Sequence, residues 1–376
     1  MAKDRNPNSR QRNNSGQGKP NGLPMGENGY KANLLDETEI TLTVCELYLE
    51  GKSCSEIVRW MKKHYNVVIA PRAPLKYLRK AARRGWLKLH PPGFFQLRTK
   101  MQKKYGWLEG LEVVHATGIN HVAQRGAVVL RRLVTRQAQA DDGNRIVHIG
   151  MPSGVQTQEL VGEFAKLLCE PAEDWPEEIV IHGMVSGVKL EDPTTDPKTT
   201  FLRLLDDFPD LQVKLSVVSF PGPGLVDTDQ IDVDGLKGWD DIQSVIAEAE
   251  RLDVIVTSAG NWVDEHSVFF QTMKSSQKAF EKLLAEDVVG DFLWRPVNKH
   301  GPIETDTGLR FMTLVELAFL PGFIARGKKV LCLLGPCEQC LQPKAEILKV
   351  LLELRDHLFT HLVVDSHTAR RTIKAA

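Results

Sequence analysis

Seven short runs rich in Val, Ile and Leu recur along the last two thirds of the chain, and they constrain its fold more than any other feature. They are LEVVHAT, RIVHIGM, EIVIHGMV, VKLSVVSF, LDVIVTSAG, KVLCLLG and HLVVDS, spread between Leu111 and Ser366. Each is short, and β-branched residues dominate, as in strands buried on both faces. Amphipathic stretches lie between them: QRGAVVLRRLVTRQ, TQELVGEFAKLL, WDDIQSVIAEAERL and KAEILKVLLELRDHL. Strands alternating with helices predict an α/β domain, a mostly parallel sheet covered by helices on both sides. Ligands of such sheets bind beyond the carboxyl ends of the strands.

The N-terminal third reads differently. Residues 1–34 are rich in Asn, Gly, Ser and Arg and nearly devoid of apolar side chains, the composition of a disordered tail. From Asp36 onward, ETEITLTVCELYLEG predicts a helix with Ile40, Val44, Leu47 and Leu49 as its apolar stripe and Gly51 as its stop. Ser53 is placed to cap a second helix carrying Ile57, Trp60 and Met61 on one face. A third, RAPLKYLRKAARRG, admits Pro74 in its first turn, with Leu75, Leu78 and Ala82 predicted inward and Gly85 as its end. WLKLHPPGFFQLR reads as a hairpin wing around Pro91-Pro92-Gly93, followed by a linker helix over residues 99–112. The predicted organisation is therefore a tail over 1–34, a helix-turn-helix domain over 35–98, the linker, and an α/β domain over 113–376.

Charge sharpens this division. The chain has 48 basic and 48 acidic residues, but from Ile57 to Lys104 there are fourteen Lys or Arg and no Asp or Glu. From Tyr105 onward acid outnumbers base, 40 to 27. An acid-free basic run inside a folding segment points to double-stranded DNA, with the third helix in the major groove. Arg72 and Lys76 stand near its start, where base contact is expected; Arg79, Lys80, Arg83 and Arg84 are expected to hold phosphates.

Several Gly, Ser and Thr turns follow strand runs in the α/β region. HIGMPSGVQTQEL places Gly150, Ser153, Gly154 and Thr157 before a helix N-terminus, a setting for an anion such as phosphate. VTSAGNW adds Ser258, Ala259, Gly260 and Asn261; LGPCEQCLQPKAEIL adds Gly335 and Lys344; VVDSHTAR adds Asp365, Ser366 and Thr368. Together they are expected to outline one pocket. Cys337 and Cys340 form a C-x-x-C, but no second pair of ligands stands at a familiar spacing, so no metal is expected. His182, Asp291 and His300 have the chemistry of acids or bases, yet nothing in the sequence ties them together, and no catalytic residue or cofactor is predicted. No run is long and apolar enough for a membrane helix, and no secretion signal is evident, so a reducing, cytoplasmic setting is expected.

The order of parts resembles the SorC-type sugar-binding transcriptional regulators. The resemblance runs from about Ile40 to Ile373. It is carried by ITLTVCELYLEGKSCSEIV with KYLRKAARRGWLKL, by LDVIVTSAG, and above all by AEDVVGDFLWRPVNKHG and HLVVDSHTARRTI. It implies a winged helix-turn-helix joined to an effector domain of the Rossmann-like, deaminase and isomerase type. The implied protein is a homo-oligomeric regulator, dimer or tetramer, whose operator affinity changes when a phosphorylated sugar binds. By the same resemblance Gly154 and Thr157 cradle the phosphate, Asp291 lies near the sugar ring, and Lys344 opens the penultimate helix. The chain departs from the family pattern at Gln156, where a hydroxyl is usual. It also departs in the long Cys-bearing loop Pro336 to Pro343 and at Ala70 to Pro74, which replaces a Ser/Thr-rich entry. The rival reading is a sugar-phosphate isomerase or deaminase with a basic appendage.

Overall fold

The computed structural model describes residues 35–87, 94–116, 118–140, 145–187 and 196–374. The chain divides into two compact units, Met1–Leu89 and His90–Ala376.

The first unit is built on three helices, α1 (Glu37–Leu49), α2 (Cys54–Tyr65) and α3 (Ala73–Arg83). The first two begin with the same device. Asp36 accepts from the Glu39 N–H at 2.8 Å while Glu39 reaches back to the Asp36 N–H; Ser53 and Glu56 repeat the exchange. Each reciprocal pair satisfies amide donors that a helix start leaves open. Val44, Leu47, Ile57, Met61 and Ile69 form the core, with Trp60 and Tyr77 packed against it. Two details differ from the sequence reading. Leu49 is 68% exposed, because α1 ends there and its stripe is completed instead by Thr41 and Cys45. On α3 the buried residues are Pro74 and Ala81, with Tyr77 and Leu78 half-buried between them, while Leu75 is 43% exposed and Ala82 is exposed. Burying the Pro74 ring in the first turn rotates the inward face by one residue, and 74-77-78-81 is then the helical repeat that packs.

The tip of the expected wing falls at residues 88–93, outside the described residues. Its second arm is not a strand: α4 spans Phe95–Lys104. FQLRTKMQKK contains neither Gly nor Pro and is mostly strong helix formers, so helical propensity prevails over the short alternating pattern. The expected linker helix thus starts before residue 99 and stops at Lys104. Met101 and Tyr105 are buried in the core of the second unit, and the chain enters β1 (Gly110–Val114) at the point where the linker was expected to end.

The sheet of the second unit has a path of seven parallel strands in the order β1, β12 (His361–Asp365), β11 (Lys329–Leu334), β6 (Val254–Asn261), β2 (Ile146–Met151), β3 (Glu178–Gly183) and β4 (Lys214–Val218). These are the seven apolar runs. Alternate residues serve opposite faces, as the pleat requires. On β11, Leu331 and Leu333 join the core beneath α5 (Ile119–Ala140) and α6 (Val155–Leu168). Val330, Cys332 and Leu334 join the opposite core with helices Asp240–Glu248 and Ala345–Glu353. Strand order reverses between β2 and β6, since β2 leads outward to β3 while β6 leads the other way to β11. A crevice is expected at such a reversal.

One excursion was not legible in the runs. Short antiparallel strands β7 (Gly290–Phe292), β8 (Arg295–Asn298) and β9 (Gly301–Pro302) extend from the end of β6, and β10 (Leu309–Phe311) pairs with β5 (Leu225–Asp227). With helices Val268–Lys274 and Gln277–Ala285 they enclose a separate aromatic core around Trp262, Phe269, Phe270 and Phe311. No described helix is long and apolar enough to cross a membrane.

The β6–β7 contact is tight: a Cβ on Gly290 would run into the Gly260 carbonyl. Gly290→Ala is expected to force the two strands apart and to destabilise the protein by about 1–3 kcal/mol, read as a lower denaturation midpoint in urea. An unchanged midpoint would show that the excursion yields without cost.

Candidate functional site

A cleft of about 170 Å³ opens at the strand reversal, lined by residues from the ends of β2, β6, β7 and β11. Its floor starts where β2 stops. Pro152 and Ser153 lead to Gly154, whose φ of +133° is open to glycine but strained for other residues. This geometry swings the chain directly into α6. The first-turn amides of α6 have no side-chain cap, so the positive end of the helix faces the cleft. Around it the Ser153 Oγ, Thr157 Oγ1 and Gln156 Oε1 are buried and make no hydrogen bond among the described residues, although the Gln156 Nε2 donates to the Ile119 carbonyl at 3.1 Å. A buried polar group left unpaired costs about 1–3 kcal/mol. Three at one helix N-terminus mark a place made for a polar ligand.

The opposite wall comes from β6 and β7. Gly260 and Asp291 are register partners, and a Cβ on Gly260 would lie 2.5 Å from the Asp291 Oδ1. The absent side chain is what admits the carboxylate. Asp291 is held by a tight turn with both Leu293 (φ +49°) and Trp294 (φ +62°) in the left-handed region, a conformation usually left to Asn and Gly. Leu293 is buried and Trp294 packs on Phe311 at 5.0 Å between ring centroids, so packing sustains the strain. Burial pushes the Asp291 carboxyl up to about 7, against the opposing pull of the Lys344 charge and the Trp294 N–H. Lys344 reaches the cleft from the start of helix Ala345–Glu353.

Of the residues expected to bind an effector, the fold brings Ser153, Gly154, Ser258, Gly260, Asp291 and Lys344 to this one cleft. Thr157, the third residue of α6, is buried behind it and does not line the cleft. Gly150 does not line it: a Cβ there would meet the Met184 sulfur at 2.5 Å, so this glycine serves sheet packing. Asp365 and Thr368 are also structural. The Asp365 Oδ1 accepts from the His367 and Thr368 amides at 2.8 and 2.9 Å, and the Thr368 Oγ1 accepts from the Lys344 N–H at 3.1 Å. Helix Ser366–Lys374 is thereby capped, and Lys344 is anchored to it. His182 lies within the sheet, its Nε2 2.9 Å from the His148 Nδ1, with burial lowering it to about 4.

The turn expected after the LDVIVTSAG run included Asn261, which lies at the end of β6; Asp264 and His266, just beyond it, were not singled out. Asn261 bridges the Pro343 carbonyl and the Ile347 amide, each at 3.2 Å, and so fixes the loop that carries Lys344. A larger cleft of about 450 Å³ lies beside β10, where Glu316 gathers three cations. Glu316 takes Arg295 at 2.6 Å, Lys237 at 2.9 Å and Arg310 at 3.0 Å.

On α3, Arg72, Lys76, Arg79, Arg83 and Arg84 are exposed. Lys80 is turned aside, its ammonium 2.5 Å from the Glu37 carboxylate on α1, and the hydrogen bond and charge of Lys80 lower the Glu37 carboxyl.

No family model matches the chain, and no curated protein matches it by sequence. Solved structures do. The full-length sorbitol operon regulator SorC from Klebsiella pneumoniae superposes with a TM-score of 0.60 at 16% identity, covering 90% of this chain and 99% of that one. A probable sor operon regulator from Shigella flexneri and a DeoR family transcriptional regulator from Listeria monocytogenes each give 0.55 at 18% identity, covering 74% of this chain and 98% of theirs. The chain has the SorC-type fold. Within that fold the start of α6, at the β2 and β6 ends, carries buried side-chain groups on Ser153, Gln156 and Thr157 that have no partner among the described residues.

The raised Asp291 carboxyl has a signed consequence. Its ordinary value is 3.8; between there and about 7 the native protein keeps a proton that the unfolded chain has released. This contribution to stability is full below the ordinary value and is lost as pH rises through about 7. From pH 5 to pH 8 the wild type should therefore lose about 2–3 kcal/mol relative to Asp291→Asn, read from paired thermal melts. Parallel pH profiles would place the Asp291 carboxyl in an ordinary, hydrated setting.

Proposed function

We propose that this protein is a DNA-binding transcriptional regulator of the cytoplasm, homo-oligomeric as a dimer or tetramer, whose operator affinity is set by a phosphorylated sugar. The observation that carries the proposal is the uncapped N-terminus of α6, ringed by the unpartnered Ser153, Thr157 and Gln156 groups, with Lys344 in the same cleft. A phosphate would take the amides and hydroxyls, and the sugar hydroxyls would reach Ser258 and Asp291. A carboxyl near neutrality both donates and accepts hydrogen bonds, which suits a polyol. The solved regulators of this fold are described as sugar-operon and transcriptional regulators, and the five exposed basic residues of α3 supply the chemistry for duplex DNA. Effector binding to one quaternary arrangement would change the spacing of paired reading heads and so shift operator affinity.

The elevated Asp291 beside Lys344 also favours a second reading, sugar-phosphate isomerisation or deamination with Asp291 as general acid or base. Turnover of a sugar phosphate that Asp291→Asn abolishes would establish it in place of regulation.

The deciding experiment is selection of bound duplexes from sheared genomic DNA at near-physiological salt with the full-length protein. Recovery of a few palindromic sites supports the regulator; recovery of no preferred sequence removes it. On such a site, Lys76→Ala should cost about 1–3 kcal/mol and relax base preference. Arg83→Ala should weaken operator and random duplexes alike. Equal losses on both duplexes for both variants would refute this division between base and phosphate contacts.

A further inference from the structure

Four metal-ligating side chains converge at the rim of the cleft. Asp264 and His266 come from the loop after β6, Cys337 and Cys340 from the loop after β11, and one donor atom of each lies within 4.8 Å of all the others. The Cys337 Sγ is 3.6 Å from the His266 Nδ1, which is 3.3 Å from the Asp264 Oδ1. A tetrahedral zinc ion with bonds of about 2.3 Å to sulfur and about 2.0–2.1 Å to nitrogen and oxygen sets sulfur and nitrogen about 3.6 Å apart, and nitrogen and oxygen about 3.3 Å apart. The two observed edges have those lengths. Either one alone is an ordinary contact; two thiols, an imidazole and a carboxylate meeting in one sphere are not.

The surroundings hold these groups in place. The backbone N–H groups of Gln339 and Cys340 donate to the Cys337 sulfur, and the His266 N–H donates to the Asp264 Oδ1 at 3.1 Å. Second contacts of this kind orient ligands toward a metal. The Cys337 N–H donates to the Gln342 carbonyl at 3.0 Å and the Leu341 N–H to the Cys337 carbonyl at 2.9 Å, closing the C-x-x-C into a compact turn. Asp264 and Cys337 are buried while His266 and Cys340 face solvent, which leaves a path of entry.

We propose that Asp264, His266, Cys337 and Cys340 bind one zinc ion per chain. Two thiolates with imidazole and carboxylate select zinc over magnesium or calcium, and four protein ligands make the site closed and structural. The ion would join the loops that follow β6 and β11, neighbours in the sheet, and so hold one rim of the cleft. Spacing alone had pointed away from a metal, because the second pair of ligands lies some seventy residues before the cysteines and meets them only through strand adjacency.

The test uses full-length protein purified under reducing conditions from zinc-supplemented cells. Elemental analysis should find about one zinc per chain, falling below about a tenth in the Cys337→Ser, Cys340→Ser double variant. Replacement by cobalt gives a readout that needs no variant. The wild type should develop a thiolate-to-cobalt charge-transfer band and the intense visible bands of a tetrahedral ion, both bleached by added zinc. His266→Ala should keep the charge-transfer band and alter the visible ones. Wild-type protein without stoichiometric zinc whose cobalt form shows only the weak octahedral spectrum would overturn the proposal. So would mass spectrometry finding a Cys337–Cys340 disulfide under the same reducing conditions. None of these outcomes depends on DNA or sugar binding.

Discussion

The ligand end of the second unit depends on β6 outrunning its parallel neighbours. β11 pairs with β6 as far as Ser258, and β2 pairs only with Val254 and Ile255. The next three residues, Ala259 to Asn261, would carry open backbone groups into a buried region, a cost that folded chains avoid. They pair instead with β7, which runs antiparallel. That switch carries Asp291 to Gly260, turns Asn261 toward the Lys344 loop, and starts the excursion whose aromatic core roofs the cleft. Gly260 and Gly290 make it sterically feasible.

Two kinds of buried polarity coexist in this unit. Around Glu316, three cations share one carboxylate through charge-assisted hydrogen bonds, with the Arg295 and Arg310 Nε atoms left without a partner among the described residues. Around the start of α6, hydroxyl and amide groups are buried without partners, and the half-buried Asp291 carboxyl is pushed up to about 7 by desolvation. At about 1–3 kcal/mol for each unpaired group, the native cleft carries a local instability that a ligand with matching donors and acceptors would relieve.

The first unit shows the same contrast on its surface. Lys80 is half-buried against Glu37 and holds α3 to α1, whereas Arg72, Lys76, Arg79, Arg83 and Arg84 remain open. A count of basic residues in the sequence treats all six alike. The one-residue rotation of the α3 face, set by the buried Pro74 ring, decides which of them is taken into the fold.

Local interactions were legible from the sequence alone. The helix starts at Asp36 and Ser53, the seven strands and the glycine turn at Gly154 each follow from neighbours within a few residues, whose spacing determines hydrogen bonding and burial. The acid-free stretch from Ile57 to Lys104 was equally plain, since net charge does not depend on packing. What the tertiary structure alone decided involves residues far apart in the chain. It removed Gly150 from the cleft, tied Asn261 to the loop that carries Lys344, ended the expected wing in a helix, and brought Asp264 and His266 to Cys337 and Cys340. Strand order places β6 beside β11 and turns β7 back against β6. Such adjacency arises from burying two sheet faces at once, a requirement of the whole domain that no short stretch of sequence expresses.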